Sequence, residues 1–388
     1  MLNFEYQNPT KMIFGRGTHR KAGAQVKPCG RKVLLHYGGE SIKRTGVYDQ
    51  VTASLKEAGV EFVELGGVKP NPRLSLVHQG IELSRKEEID FILAVGGGSA
   101  IDSAKAIAMG VPYQGEVWDF YTGKARCKEA VPLGTILTIP AAGSESSPDT
   151  VITNEETTRK YAASSPLLRP VFSILNPELC LTLPHAQIGY GVCDIMAHIM
   201  ERYFTQTTRT DLIDRLSEAT LRTVILNGRK LARESQDYDT WAEVMYASSI
   251  AHNGLLGTGR AQDWSSHVIE HELSAHYDIP HGAGLAIVFP AWIKHVYQAR
   301  PEIFVQFAVR VWDVDLSFRE PEEIIFEGVR RLEAFYKEMG LPTRLREVGI
   351  GADRLEEMAG KAVAGGPIGG LKKLAQEDVL AILKLALE

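Results

Sequence analysis

Four of the eleven histidines fall in one short stretch. Residues 264–284 read WSSHVIEHELSAHYDIPHGAG and hold His267, His271, His276 and His281, with no Lys or Arg among them. His267 and His271 are four apart, so a helix puts them on one face. His281 follows Pro280 and precedes Gly282 and Gly284, which places it at the start of the next element. Farther back, Asp194 and His198 in GVCDIMAHIM form a second i, i+4 pair. Two helices presenting such pairs, with a loop histidine, supply the carboxylate and imidazole donors that hold a divalent cation. A lone histidine pair at this spacing is more often an accident of a helix surface or core. Here the donor types themselves are those a divalent metal takes.

The second chemical feature is Gly96-Gly97-Gly98-Ser99. It lies between the apolar run 91–95 and a helix predicted over 100–109. A glycine turn between a buried strand and a helix start exposes N–H groups to an anion, and the helix N-terminus adds positive potential. The pyrophosphate of a dinucleotide is the natural guest. The common GxGxxG fingerprint is absent, because it needs glycine in place of Ile101. A tight strand-to-helix turn with no ligand would give the same glycines. Asp102, in the first turn, is placed to cap amides or to reach a ribose or nicotinamide. Thr138 ends a strand beside the small-residue loop Pro140-Ala141-Ala142-Gly143-Ser144-Glu145.

These residues need a scaffold, and its pattern changes at about residue 184. Before it, strands and helices alternate. Residues 2–14 read as an edge strand or hairpin. Strands are expected at 32–37, 60–65, 91–95, 133–139 and 171–175, and helices at 47–58 and 74–84, with Pro70-Asn71-Pro72 as a rigid loop. Such alternation argues a parallel sheet. After it, strand-like runs nearly vanish, and helices are expected over 186–204, 211–234, 239–256, 261–276, 283–298, 321–339, 353–363 and 376–387. The expected domains are 1–185, an α/β nucleotide-binding domain with a Rossmann-like parallel sheet, and 186–388, an all-α metal-binding domain. A cleft between them is the expected place of reaction.

With 388 residues, 44% hydrophobic and 23% charged, the chain is of ordinary globular composition and long enough for two domains. The net charge of −5 and the lack of a basic run argue against nucleic acid. No apolar stretch is long enough to span a membrane, and the N-terminus lacks a signal-peptide core. Cys29, Cys127, Cys180 and Cys193 are scattered without a CxxC, as in a reduced cytoplasmic protein.

The chain resembles the iron-containing (group III) alcohol dehydrogenases, in their butanol dehydrogenase and NADPH-dependent aldehyde reductase branch. The resemblance rests on PNP at 70–72, GGGSAIDSAK at 96–105, LTIPAAGSES at 137–146, NPEL at 176–179, DIMAH at 194–198, HVIEH at 267–271 and PHG at 280–282. It implies the dehydroquinate synthase-like fold and one divalent metal, Fe(II) or Zn(II), on Asp194, His198, His267 and His281. It leaves His271 as a non-ligand histidine facing nicotinamide and substrate, and a candidate proton relay. Gly38, Gly39, Ser41, Asn71, Gly97, Gly98, Ser99, Asp102, Thr138, Ser144, Lys160 and Leu179 are the implied cofactor contacts. His252 and His276 match no ligand position. The family's second loop threonine is Ala142 here, and the aspartate of its DPEL is Asn176.

The expected reaction is hydride transfer between NAD(P)H and small neutral alcohols or aldehydes. Relatives that prefer NAD carry an aspartate where this chain has Gly39, which favours NADP(H) over NAD(H), with Lys43 or Arg44 near the phosphate and Glu40 arguing the other way. The resemblance also implies a homodimer, with residues 4–14 as the cross-subunit edge. Two alternatives stand beside it. One is a lyase of the dehydroquinate synthase type, which would need Lys and Arg around the metal to hold an anionic substrate. Residues 184–200 and 261–293 contain neither, and Arg202, Arg260 and Lys294 lie just outside. The other is a non-catalytic nucleotide- or metal-binding protein, which a missing ligand would favour.

Overall fold

The computed structural model of the chain describes residues 1–316 and 320–388. They group into two compact units, neither of them one continuous stretch. One comprises Gln7–Leu183 and Gln236–Ser249; the other comprises Met1–Tyr6, Pro184–Ser235 and Ile250–Glu388.

The first unit contains eight strands: β1 (Lys11–Phe14), β2 (Lys32–Tyr37), β3 (Glu61–Leu65), β4 (Phe91–Gly96), β5 (Leu133–Leu137), β6 (Asp149–Asn154), β7 (Arg159–Ser164) and β8 (Phe172–Leu175). Six of them form a sheet in the order β1-β8-β5-β4-β2-β3, and every pairing in it is parallel. The inner strands are mostly apolar because both faces are covered, and the buried hydroxyls of Thr135 and Ser173 bond each other at 2.8 Å. β4, β5 and β8 are buried throughout, and Phe91 stacks on Phe172 with ring centroids 5.9 Å apart. β6 and β7 form a separate antiparallel pair.

The chain leaves β2 toward β3 on one side and leaves β4 toward β5 on the other. Strand order therefore reverses between β2 and β4, which pair from Val33↔Phe91 to Tyr37↔Val95. Open parallel sheets hold ligands outside the carboxyl ends of their strands at such a reversal. Gly38-Gly39 follows one of these two strands and Gly97-Gly98 the other. The helix after β4 begins at Gly98 rather than Ala100 and runs to Gly110. The glycines are also needed for packing. A Cβ on Gly98 would stand 2.9 Å from the Cβ of Ala142, and one on Gly97 would stand 3.1 Å from that of Ile139.

Several elements differ from the sequence expectation, the short helices Ala22–Val26 and Trp118–Tyr121 among them. Of residues 2–14 only Lys11–Phe14 is a strand, at the edge of the sheet. Pro9 has no N–H to give a ladder, and Leu2 instead donates its N–H to the Gly259 carbonyl at 2.8 Å, within the other unit. The β6–β7 hairpin was not expected, because its sequence is polar and lacks an apolar run. The helix Pro301–Trp312 was also missed; its proline occupies the first turn, where the absent N–H costs nothing. The remaining helices of the second unit include His185–Tyr203, Asp211–Arg233, Ser265–Tyr277, His281–Val296, Pro321–Glu338, Leu355–Ala362 and Gln376–Leu387.

Below the glycine turn, Lys105 ties the helix to the 144–149 loop. Its side chain is fully buried. Its Nζ donates to the Ser144 carbonyl (2.7 Å) and hydroxyl (2.9 Å), the Ser147 carbonyl (2.9 Å) and hydroxyl (3.3 Å), and the Asp149 carbonyl (2.8 Å). One turn away, Asp102 accepts from the Ser144 hydroxyl at 2.5 Å and the Val151 N–H at 3.0 Å. Burial lowers the Lys105 ammonium to about 8 against the pull of Asp102, and raises Asp102 to about 6 against that of Lys105. Replacing Lys105 by Met strands buried acceptors and should cost about 3 kcal/mol at neutral pH in urea unfolding. Because the folded protein releases this proton before the unfolded chain does, burial of the charge weighs fully below pH 8 and is relieved as pH rises toward 10.5. The wild type should therefore gain stability relative to Lys105→Met between pH 8 and pH 10, as unfolding midpoints at the two pH values would show.

Candidate metal and dinucleotide sites

The residues expected to hold a dinucleotide all lie in the first unit, and most lie on one rim. Gly38 and Gly39 follow β2, Gly97, Gly98 and Ser99 follow β4, Thr138 follows β5, and Leu179 lies in the turn Pro177–Cys180 after β8. These are four neighbouring parallel strands, so their carboxyl ends share an edge. The Thr138 N–H donates to the Gly96 carbonyl at 3.0 Å, which fastens the β5 end to the glycine turn. Asn176 caps the turn after β8 by accepting from the Glu178 N–H at 3.1 Å. Ser41 opens the short helix Ser41–Arg44. Asn71 adopts a left-handed backbone with φ of 53° and accepts from Lys160 Nζ at 3.0 Å, both side chains being buried. Asp102 and Ser144 are bonded to one another.

The histidine cluster lies in the second unit. Asp194 and His198 sit on helix His185–Tyr203, His267 and His271 on helix Ser265–Tyr277, and His281 is the first residue of helix His281–Val296. The i, i+4 spacing does what was expected of it. His198 Nδ1 is 3.2 Å from Asp194 Oδ1, and His281 Nε2 is 3.8 Å from the same oxygen. The donor atoms of Asp194, His267 and His281 lie within 4.8 Å of one another. The rings of His198 and His267 are 4.9 Å apart, centroid to centroid. His271 stands beside the cluster, its ring centroid 5.7 Å from that of His281.

The chemistry of these donors fits a cation. His267 Nε2 is buried with no hydrogen-bond partner among the described residues, and His198 Nδ1 is buried with only the Asp194 carboxylate 3.2 Å away, out of line for a hydrogen bond. Leaving such an atom unsatisfied costs about 1–3 kcal/mol, and a divalent metal would satisfy both. Burial, reinforced by the neighbouring His252 and His267, holds His198 well below the ordinary histidine range. Its imidazole is therefore neutral, the form that binds metal.

The structure also brings in residues the sequence reading passed over. Glu201 is fully buried, and its Oε1 lies 2.7 Å from His267 Nδ1 and accepts from the His267 backbone N–H at 3.1 Å. Its Oε2 accepts from the Trp264 N–H at 2.6 Å, holding Trp264 in a left-handed conformation with φ of 69° at the head of its helix. Glu270 meets His281 Nδ1 and the Ser274 hydroxyl. A signal existed for both: Glu201 is three residues after His198, and Glu270 is three after His267. His252, set aside from the sequence, packs its ring 4.2 Å from that of His198. His276 faces away, with Nε2 3.2 Å from Lys361 Nζ. The two nearby arginines have protein partners. Arg202 lies 4.6 Å over the Trp264 ring and donates to the His198 carbonyl, and Arg260 pairs with Asp214.

Comparison with known proteins places the chain in a family. Residues 9–177 match the family described as iron-containing alcohol dehydrogenase, and residues 189–387 match the Fe-containing alcohol dehydrogenase family, C-terminal. The chain is 48% identical over 387 residues to a Bacillus subtilis protein named "Probable NADH-dependent butanol dehydrogenase 1", covering 100% of both. It is 38% identical over 353 residues to the Escherichia coli NADPH-dependent aldehyde reductase YqhD, covering 90% of each. Among solved structures, an NADH-dependent butanol dehydrogenase A from Thermotoga maritima superposes with a TM-score of 0.97 at 43% identity, over 100% of this chain and 99% of that one. Matched in both halves and along its length, the chain belongs to the iron-containing alcohol dehydrogenase family.

Proposed function

We propose that this oxidoreductase interconverts small neutral aldehydes and primary alcohols of the butanal and butanol type, with one divalent metal, iron or zinc, on Asp194, His198, His267 and His281. The observation that carries the ligand set is the convergence of donor atoms of Asp194, His267 and His281 within 4.8 Å, with His267 Nε2 buried and without a hydrogen-bond partner among the described residues and His198 beside Asp194. When bound, the metal polarises the substrate oxygen and the nicotinamide supplies or takes the hydride. The chain's own residues place these groups and handle the proton. Asp194 brings the carboxylate charge and the three imidazoles bring neutral nitrogen. His271, beside the cluster but outside the ligand set, is the proposed relay for the proton between the substrate oxygen and water. The lyase reading loses its support, since the relatives are oxidoreductases and Arg202 and Arg260 are engaged by protein groups. A homodimer is proposed through β1, an edge strand with Phe14 exposed and with exposed Met1, Leu2, Phe4 and Tyr6 before it. The cytoplasm fits four free cysteines, and no described helix is long and apolar enough to cross a membrane.

For the cofactor we propose NADP(H) over NAD(H). Gly39 follows β2 at the strand-order reversal, and a Cβ there would meet nothing within 4 Å. That leaves room for a 2′-phosphate, with no carboxylate at that position to repel it. The Glu40 carboxylate, which would oppose a phosphate, is held by Lys43 at 3.3 Å. The opposite reading has support in the Bacillus relative and the Thermotoga structure, both named for NADH, whereas the Escherichia relative is named for NADPH.

Two measurements test these readings. His267→Ala and His281→Ala should lose bound metal and butanal reduction yet still bind the dinucleotide, whereas His271→Ala should keep its metal and lose turnover. Full turnover by metal-free protein would end the proposal. Separately, kcat/KM for NADPH should exceed that for NADH by about 10-fold or more in the wild type, a difference of about 1–3 kcal/mol from a charge-assisted bond. Gly39→Asp should reverse the preference. A wild type that prefers NADH, or a Gly39→Asp variant with no shift, would show that this loop does not read the phosphate.

A further inference from the structure

Building on the ligand set proposed above, we infer that Glu201 and Glu270 are positioning residues that lock His267 and His281 in the tautomer whose Nε2 faces the cation. A neutral imidazole carries one N–H, and the hydrogen bond at one nitrogen decides which nitrogen is left as the donor. His267 offers Nδ1 to the Glu201 carboxylate at 2.7 Å, while its Nε2 is buried and has no hydrogen-bond partner among the described residues. A carboxylate accepts only, so the proton sits on Nδ1 and the lone pair on Nε2. His281 repeats the arrangement, with Nδ1 on the Glu270 carboxylate and Nε2 3.8 Å from Asp194 Oδ1.

Both carboxylates occupy built seats. Glu201 is pinned at one oxygen by the backbone and side chain of His267 and at the other by the Trp264 N–H. Glu270 is fully buried against the Ser274 hydroxyl, and the chain makes room for it by having no side chain at Gly284. A Cβ there would stand 2.6 Å from Glu270 Oε1 and 2.7 Å from its Cγ. Two buried carboxylates are costly unless positive charge shares their surroundings. A divalent cation behind the two imidazoles supplies that charge, and the carboxylates in turn make the imidazoles better donors. Neither glutamate needs to touch the ion.

The experiment uses the full chain, stripped of metal and titrated with Zn(II) or Co(II) against a competing chelator. Glu201→Gln and Glu270→Gln should each weaken metal binding about 10–100-fold. Stoichiometry should remain one ion per chain, dinucleotide affinity should be unchanged, and the visible spectrum of the Co(II) form should shift. Glu201→Asp and Glu270→Asp, which keep the charge at shorter reach, should recover part of the affinity and serve if a glutamine variant fails to fold. Wild-type affinity and an unshifted spectrum in both glutamine variants would overturn the inference. So would two ions per chain in the wild type and one in Glu270→Gln, because Glu270, His271 and His281 also bring donors within 4.8 Å and Glu270 would then be a ligand. His267→Ala and His281→Ala in the same titration separate the two levels: if they keep wild-type metal affinity, the ligand set itself is wrong.

Discussion

Polar atoms taken out of water must be answered, and that constraint organises the second unit. The helix His185–Tyr203 is buried without a break from Gly191 to Tyr203, yet it carries Asp194, His198, Glu201 and Arg202 inward. Each of these would destabilise the unit if left alone. The answers come from neighbours at fixed spacing. Glu201 meets His267, Arg202 stacks on Trp264, and Asp194 lies near His198 and His281. Among the described residues the protein leaves His267 Nε2 buried without a hydrogen-bond partner, and that nitrogen faces the place proposed for a cation.

The same constraint acts in the first unit with opposite charge. Lys105 is a buried cation, and the 144–149 loop wraps its carbonyls and hydroxyls around it. Just before that loop, Ile139 and Ala142 border the glycine turn at the head of the Lys105 helix. One buried amine therefore fixes the relation of two segments expected to meet the dinucleotide. The glycines above it permit close packing as well as close approach by a ligand, so their presence alone could not separate the two readings.

Much of this was legible in the sequence, and what was not has a physical reason. The Asp194–His198 and His267–His271 pairs were readable because helical spacing is local and fixes a shared face. The parallel sheet was readable because its inner strands are covered on both faces and hence mostly apolar, β4 most clearly. Strand order was not, since it depends on pairings between distant segments. The β6–β7 hairpin escaped because it is polar, and the helix Pro301–Trp312 opens on a proline, a residue that suits a first helical turn and a loop alike. Glu201 and Glu270 escaped for a different reason. A glutamate three residues from a histidine reads as an exposed helix face unless its burial is known. The metal reading stood on residue types, whereas the positioning reading needed distances.

The segment after Pro280 shows how a motif can carry more than one constraint. In HGAG the glycines suggest a flexible turn, but neither Gly282 nor Gly284 has a positive φ. Both lie within a regular helix, where glycine is a poor choice unless close approach demands it. A Cβ on Gly282 would fall 2.3 Å from the Tyr190 carbonyl oxygen on helix His185–Tyr203, and one on Gly284 would strike Glu270. The two glycines thus seat one helix against two others, the one bearing Asp194 and His198 and the one bearing His267 and Glu270. His281 leads that seated helix, so its ring position is set by backbone contact as well as by its hydrogen bond to Glu270. Conformational freedom is what these glycines give up, and what they supply is the small cross-section that lets three donor-bearing helices converge.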